Sequence, residues 1–374
     1  MKKIVVLGAG QVGRTIATDL STDYVVTSAD VSEKNLSLLK EKSSVQTVKA
    51  DLSNADEIKK VIADADLVIG AVPGFMGFEM VKTVITSGKN IVDISFFNED
   101  IFLLDELAKK NKVTAVMDCG VAPGMDNIIL GYHNKQMQVD FFECLVGGLP
   151  VIRTYPFEYK APFSPIDVIA EYTRPARFVK DGQLVTRPAL SDAELIEFPQ
   201  VGTLEAFNTD GLRSLIKTMK IPDMIERTLR YPGHIDLMKV LRETGFFSEE
   251  PVTVNGQQIK PVDVTAKLLF PKWKLEDGEE EFTLMRVTVK GSEKNKPKEY
   301  VYDLLDRYDR KTNTPSMSRT TGYTCTAVAR LVIEKWYDRV GISPPEYVGE
   351  EEKCFRFVMN YLKERNVVYR VTEK

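Results

Sequence analysis

Lys3-Ile-Val-Val-Leu-Gly8-Ala-Gly10-Gln-Val-Gly13-Arg-Thr-Ile16 opens the chain, and a second apolar run, Tyr24-Val-Val-Thr-Ser-Ala-Asp30, ends on an acid. Ile4 to Leu7 is a continuous apolar run of the kind a strand buried on both faces requires, and residues 14–20 continue at helical spacing. Three glycines stand between them in the spacing G-x-G-x-x-G. Gly8 permits the tight turn, Gly10 lets backbone N–H groups approach a pyrophosphate, and Gly13 lets the helix pack closely on the strand. The helix start at Gln11 and Val12 then faces the phosphates. Asp30 sits where a carboxylate bonds the adenosine ribose hydroxyls, so the spacing predicts a dinucleotide-binding unit. NAD is the expected cofactor, because a carboxylate there repels a 2′-phosphate and no arginine follows within the next few positions. Lys34 is near enough to leave NADP open.

The alternation continues outward. Strands are expected at residues 45–50, 67–72, 90–94 and 114–117, with helices at 55–63, 78–87 and 100–111. Strands and helices of this length in alternation imply an α/β doubly wound parallel sheet of Rossmann type, with ligands beyond the carboxyl ends of its strands. Asp51, the turn Ala71-Val72-Pro73-Gly74, and Asp118-Cys-Gly120-Val-Ala-Pro-Gly124 occupy such ends and are the further candidate cofactor contacts. After about Asn127 longer alternating stretches at 143–148, 252–254, 282–289 and 300–305 read as strands of a mostly antiparallel sheet. Charged loops at 275–281 and 292–298 are expected between them. A central α+β domain at 128–317 follows. The helical segment from Ser318 to Asp338 returns to the nucleotide domain in this reading, making it discontinuous, 1–127 with 318–374.

Composition narrows the class. A length of 374 residues fits about two domains, and a net charge of −4 with both signs interspersed leaves no footprint for nucleic acid. Residues 67–84 form the best apolar stretch, but Gly70, Pro73, Gly74 and Gly77 break it, so no membrane span is expected. Met1-Lys2-Lys3 runs straight into the first strand, unlike a cleavable signal. The four cysteines lack C-x-x-C spacing and there are only two histidines. These counts fit a reduced, cytoplasmic protein with no metal centre.

Asp118 heads a loop that either supports the nicotinamide and exposes the acid to substrate, or is a structural turn before a helix. Asp93 has the same placement at the end of its strand. An amino-acid substrate needs a charge-matched fork for its carboxylate, and Arg174 and Arg213 stand in turn-like clusters, the second beside Asn208 and Thr209. His234 follows a Pro-Gly turn, where its ring is either a proton shuttle near neutral pH or an imidazole satisfied by backbone. Thr320, Thr321 and Thr324 are placed to cap the start of the late helix, or to contact a carboxylate or pyrophosphate there.

These motifs together resemble the saccharopine dehydrogenase-like oxidoreductases, and within them the L-lysine 6-dehydrogenase branch. The likeness lies in Val6-Leu-Gly-Ala-Gly10, Asp93, Asp118-Cys-Gly-Val-Ala-Pro-Gly-Met125 with Asn127, and Val146-Gly-Gly-Leu-Pro150. It continues through Leu204-Glu-Ala-Phe-Asn-Thr209 with Gly211, Arg230-Tyr-Pro-Gly-His234 and Arg319-Thr-Thr-Gly-Tyr-Thr324. The resemblance implies a Rossmann domain built from both chain ends, a central substrate-binding domain that makes a homodimer, and NAD-dependent oxidation of an amine-bearing carbon. Asp118 and His234 are then candidates for base and water activation. Saccharopine reductase, a carboxynorspermidine-type reductase and a non-catalytic NAD-binding regulator are the alternatives. Two departures stand out: Gly322 follows the two threonines, and Phe96-Phe97 replaces a more polar, glycine-bearing stretch near the expected nicotinamide pocket.

Overall fold

The glycine turn is built as its spacing requires. In the computed structural model, which describes residues 1–276 and 278–374 and leaves out the Lys42 side chain, β1 (Lys3–Leu7) is followed by α1 (Gln11–Leu20). Ile4, Val6 and Leu7 are fully buried, each contributing about 2 kcal/mol of apolar transfer. Gly13, Ile16, Ala17 and Leu20 turn one face of α1 inward, at the spacing of a helix stripe. The series continues through β2 (Val25–Asp30), α2 (Glu33–Lys42), β3 (Gln46–Lys49), α3 (Ala55–Ile62), β4 (Leu67–Gly70), α4 (Gly74–Thr86), β5 (Ile91–Asp93), α5 (Asp105–Lys110), β6 (Thr114–Val116) and α6 (Met125–Gln136).

With the late strand Gly341–Ser343, these strands form a seven-stranded parallel sheet in the order 341–343, β6, β5, β4, β1, β2, β3. Strand order reverses between β1 and β4, so the glycine loop and the Ala71 turn flank the crevice where such sheets take ligands. Two local expectations fail. Helix α2 was not anticipated because its solvent face is almost wholly polar, yet Ser32 caps it by accepting the Asn35 N–H. The helix expected at 100–111 splits into a 3₁₀ turn, Ile101–Leu104, and α5, with the Asp100 carboxylate capping the Phe102 N–H.

The chain divides into two compact units, residues 1–138 with 318–369, and residues 139–317 with 370–374. The second unit holds a nine-stranded, mostly antiparallel sheet. Its main path runs through strands Glu194–Phe198, Gly202–Asn208, Asp223–Arg230, Gln138–Pro150, Glu281–Glu293, Lys296–Arg307 and Tyr369–Glu373. The loop expected at 292–298 is instead a tight hairpin, closed by Lys294 and Asn295 at φ 50° and 62°, the left-handed values that match the twist of paired strands. Of the loop expected at 275–281, Glu281 begins a strand, and Asp277 lies outside the described residues. Among the described residues no helix is long and apolar enough to cross a membrane.

Candidate active site

In the first unit the three glycines do different work. An added Cβ on Gly8, whose φ is 114°, would lie 2.3 Å from the Ala71 carbonyl oxygen, and one on Gly13 would lie 2.2 Å from that of Gly8. The turn therefore seats backbone on backbone. A Cβ on Gly10 meets nothing within 4 Å, so that glycine faces open space at the start of α1, which no side chain caps. An open glycine beside an uncapped helix start fits a pyrophosphate. The Asp30 carboxylate accepts N–H bonds from Ala9 and from Ser32, both at 2.7 Å, which fixes it beside the loop. Asp51 is exposed and accepts the Ser53 N–H and hydroxyl. Val72 and Pro73 lead directly into α4, which starts four residues earlier than expected, at Gly74.

Asp93 and Asp118 are both buried at the sheet's carboxyl edge. Asp93 accepts the Ser95 N–H at 3.0 Å and its hydroxyl at 2.8 Å, and its carboxylate packs over Gly70, where a Cβ would come within 2.0 Å. The Cys119 N–H donates to the Asp93 carbonyl at 2.9 Å, tying the two strand ends together. Burial, with the charges of Asp93 and Asp118 nearby, pushes the Cys119 thiol well above its usual range. This thiol stays protonated. Asp118 itself has φ 52°, a left-handed value that an aspartate tolerates better than most side chains.

Behind this loop lies a network that the sequence did not single out as a unit. The Gly124 N–H donates to Asp126 at 2.9 Å and to Asn127 at 3.1 Å, and the Asn127 amide donates to Glu346 at 2.9 Å. Asp126 Oδ2 is buried without a hydrogen bond, and burial, with Glu346 adding to it, raises the Asp126 pKa to about 7. Only folding brings Glu346 to residues 126 and 127.

The late helix, Ser316–Ile333, begins before the threonines, so they do not cap it. Its first N–H groups, on Ser316 and Met317, donate instead to Glu281 at 2.9 and 2.8 Å. Thr320 and Thr324 lie buried within the helix, and the Thr324 hydroxyl donates back to the Thr320 carbonyl at 2.8 Å. Thr321 stands against the 118–124 loop, its Cγ2 3.4 Å from where a Gly120 Cβ would lie. A Cβ on Gly322 would press on Thr15 and Ile16 of α1 at 3.3 and 3.4 Å, so a small residue suits that crossing. Phe97 is buried in the core and meets Phe78 edge-on at 5.8 Å, leaving Phe96 as the partly exposed member of the pair.

In the second unit the sequence's two arginine clusters meet. Burial and then the charge of Arg213 lower the Arg174 pKa, with Asp210 and Asp167 opposing. Asp210 is engaged by Arg177 through two bonds of 2.8 Å. Arg213 is buried with φ 48°, a left-handed conformation that costs about 1 kcal/mol for such a side chain. Asn208 and Thr209 part company. Asn208 stands opposite Arg227 in the ladder and donates to Ser191 and Asp192, whereas Thr209 bonds Glu226 and Thr228. Alternate residues of the strand Asp223–Arg230 face opposite sides, so these two side chains serve opposite faces of the sheet.

His234 corrects a larger expectation. It is the first residue of the helix His234–Glu243, not part of a loop, and it is buried. Nε2 pairs with the Tyr172 hydroxyl at 2.9 Å and Nδ1 with the Phe157 carbonyl at 2.8 Å. Burial, and then the Arg230 charge, push its pKa down to about 3. An imidazole held neutral throughout the physiological range is no shuttle near pH 7. Arg230, which donates to Glu171 at 2.7 Å and to Tyr172 at 3.1 Å, and Tyr159, whose ring lies 4.5 Å below the guanidinium, complete this buried cluster. The sequence motif exposed Arg230 and His234 but gave no sign of their aromatic surroundings.

The chain is similar to several known proteins. The alpha-aminoadipic semialdehyde synthase of Arabidopsis thaliana is 26% identical over 291 residues, 66% of this chain and 27% of that protein. The saccharopine dehydrogenase [NADP(+), L-glutamate-forming] of Pyricularia oryzae is 26% identical over 285 residues, 72% of this chain and 63% of that protein. The chain thus spans about a quarter of the first relative and less than two thirds of the second. The solved apo saccharopine dehydrogenase (L-Glu forming) of Saccharomyces cerevisiae has the same fold, with a TM-score of 0.79 at 19% identity over 100% of both chains. Residues 4–116 match the family model described as the saccharopine dehydrogenase NADP binding domain, and residues 120–368 match that described as the saccharopine dehydrogenase C-terminal domain. With the glycine crevice inside the first match and the arginine and histidine clusters inside the second, the chain belongs to the saccharopine dehydrogenase family.

Proposed function

We propose that this protein is a nicotinamide-dependent oxidoreductase acting on the amine-bearing carbon of an amino acid, and that its substrate is L-lysine, oxidised at the side-chain amine. The observation that carries this reading is the convergence of the two arginine clusters: Arg177 engages Asp210, and burial followed by the charge of Arg213 lowers the Arg174 pKa, with Asp210 and Asp167 opposing. Arg174 and Arg213 are poised for a carboxylate, which relieves the repulsion and accepts a bidentate fork. Strain at Arg213 fits a residue kept for binding.

A protonated amine has no lone pair with which to expel hydride, so a base must hold the reacting nitrogen neutral. Asp118, at the end of β6, takes this proton in our reading, with Asp93 fixing the neighbouring strand end. Arg174 and Arg213 grip the α-carboxylate. The nicotinamide, when bound, accepts the hydride. Water then adds to the substrate imine and ammonia leaves, giving the semialdehyde. His234 orders Tyr172 and the backbone at Phe157 and moves no proton. Gly8, Gly10, Gly13 and Asp30 hold the dinucleotide, with Asp51, Ala71, Val72, Pro73 and Gly120 as further contacts. The central unit serves substrate binding and homodimer formation.

The second reading, formation of saccharopine from the semialdehyde and glutamate, is favoured by the names of the relatives. An absorbance assay separates them: NAD with lysine against reduced cofactor with semialdehyde and glutamate. Turnover in the first mixture supports the lysine reaction, and turnover only in the second overturns it. Asp118→Asn is expected to abolish turnover while dinucleotide binding persists; an unchanged pH profile would remove Asp118 as base.

A further inference from the structure

At the adenosine end of the crevice the sequence argument for NAD rested on an acid without a nearby arginine. Folding supplies one from the other side. Arg14, on the first turns of α1, donates through Nη1 to the Ala9 carbonyl at 3.0 Å and reaches Asn35 Oδ1 at 3.4 Å. Asp30 spans the same two elements, accepting the Ala9 N–H and the Ser32 N–H. One peptide of the glycine loop is therefore held on its N–H side by a carboxylate and on its carbonyl side by a guanidinium. Both also reach the start of α2, beyond the end of β2. Lys34, the cation visible in the sequence, is exposed on α2 and makes no such bridge.

We propose that Arg14 is a specificity-determining residue that admits a 2′-phosphorylated dinucleotide alongside NAD, with Asp30 holding the ribose hydroxyls. This rests on the dinucleotide-binding reading above. The chemistry is opposed in sign: the Asp30 carboxylate repels a 2′-phosphate, while a planar guanidinium offers several N–H donors to phosphate oxygens and stays charged at every relevant pH. Arg14 can give up its bonds to the Ala9 carbonyl and the Asn35 amide, both neutral acceptors, for bonds to a dianion. That exchange favours the phosphate, since charge-assisted bonds are about twice as strong as neutral ones. Asp30, bonded only to backbone N–H groups in these contacts, keeps lone pairs for the ribose. The family model's NADP description and the acid after β2 then cease to conflict.

The test is calorimetric titration of the full chain with adenosine 2′,5′-bisphosphate and with 5′-AMP, which reads the site without turnover. The wild type should bind both. Arg14→Gln should lower the ratio of bisphosphate to AMP affinity by about tenfold, Arg14→Lys should restore part of it, and Asp30→Asn should raise it. Thermal melts confirm that each variant is folded; if Arg14→Gln is not, the Asp30→Asn and Arg14→Lys ratios decide. A ratio unmoved by Arg14→Gln, or a wild type that binds AMP and not the bisphosphate, overturns the proposal. A wild type that binds neither probe nor NAD overturns the dinucleotide reading itself.

Discussion

The two units of this chain build their polar centres from different material. The crevice of the first is mostly backbone: Gly8 and Gly13 press on carbonyl oxygens and Gly10 leaves a gap. The polar groups of the second are long side chains in two clusters, Arg174 with Arg213 and Arg230 with Tyr172 and His234. A backbone site is sensitive to a single carbon atom and indifferent to pH. A side-chain site tolerates small changes of volume but depends on every charge buried near it.

The sharpest way to break this contrast is to add one methyl group. Gly13→Ala places a Cβ 2.2 Å from the Gly8 oxygen and is expected to destabilise the first unit by about 3 kcal/mol, read as a lower Tm. Gly10→Ala, pointing into open space, should melt like the wild type yet bind dinucleotide poorly. Equal melting of both variants would show that the close seating is not what the turn depends on.

Next in size is the arginine pair. Arg213→Ala should raise KM for a carboxylate-bearing substrate by about a hundredfold, with a smaller change in kcat. Arg213→Lys should recover part of this, because it restores the charge but not the fork. An unchanged KM would take Arg213 out of the site.

Buried titration gives two smaller effects of opposite sign. His234 has its folded pKa depressed from 6.5 to about 3, so its contribution to stability is present above pH 6.5 and is lost as pH falls toward 3. The slope is about 1.4 kcal/mol per pH unit within that window. His234→Gln should remove that slope from the difference between variant and wild-type unfolding curves. Asp126, raised from 3.8 to about 7, does the reverse: the folded state binds the extra proton, so stability falls as pH rises from about 4 to 7. Asp126→Asn should therefore gain about 3 kcal/mol on the wild type at pH 8 relative to pH 5. The same difference between variant and wild type at pH 5 and at pH 8 would mean that backbone N–H bonds from Asn127 and Gly124 keep the carboxylate ionised across that range.

The succession of β1 to β6 was legible because each apolar run is local and β1, β4, β5 and β6 are buried on both faces. Helix α2 was not, since its polar face carries little periodic signal and its start depends on the Ser32 cap. The candidate site was legible in fragments. Asp93 and Asp118 could be placed at strand ends from the parallel-sheet rule alone. Asn208 and Thr209 were adjacent in sequence and so read as partners, but the strand's alternation sends them to opposite faces. The threonines after Arg319 looked like a helix start because hydroxyls favour that position, whereas Glu281, many residues earlier, does the capping.

What the sequence determined by itself was the nucleotide unit and its acid, because a glycine's missing Cβ and a strand's periodicity act within a few residues. Tertiary structure alone decided that His234 is neutral, that Arg174 and Arg213 meet, and that Arg14 stands beside Asp30. Each of these is set by burial and by charges on elements distant in the chain, and Coulomb and desolvation energies depend on separation in space rather than on separation in sequence.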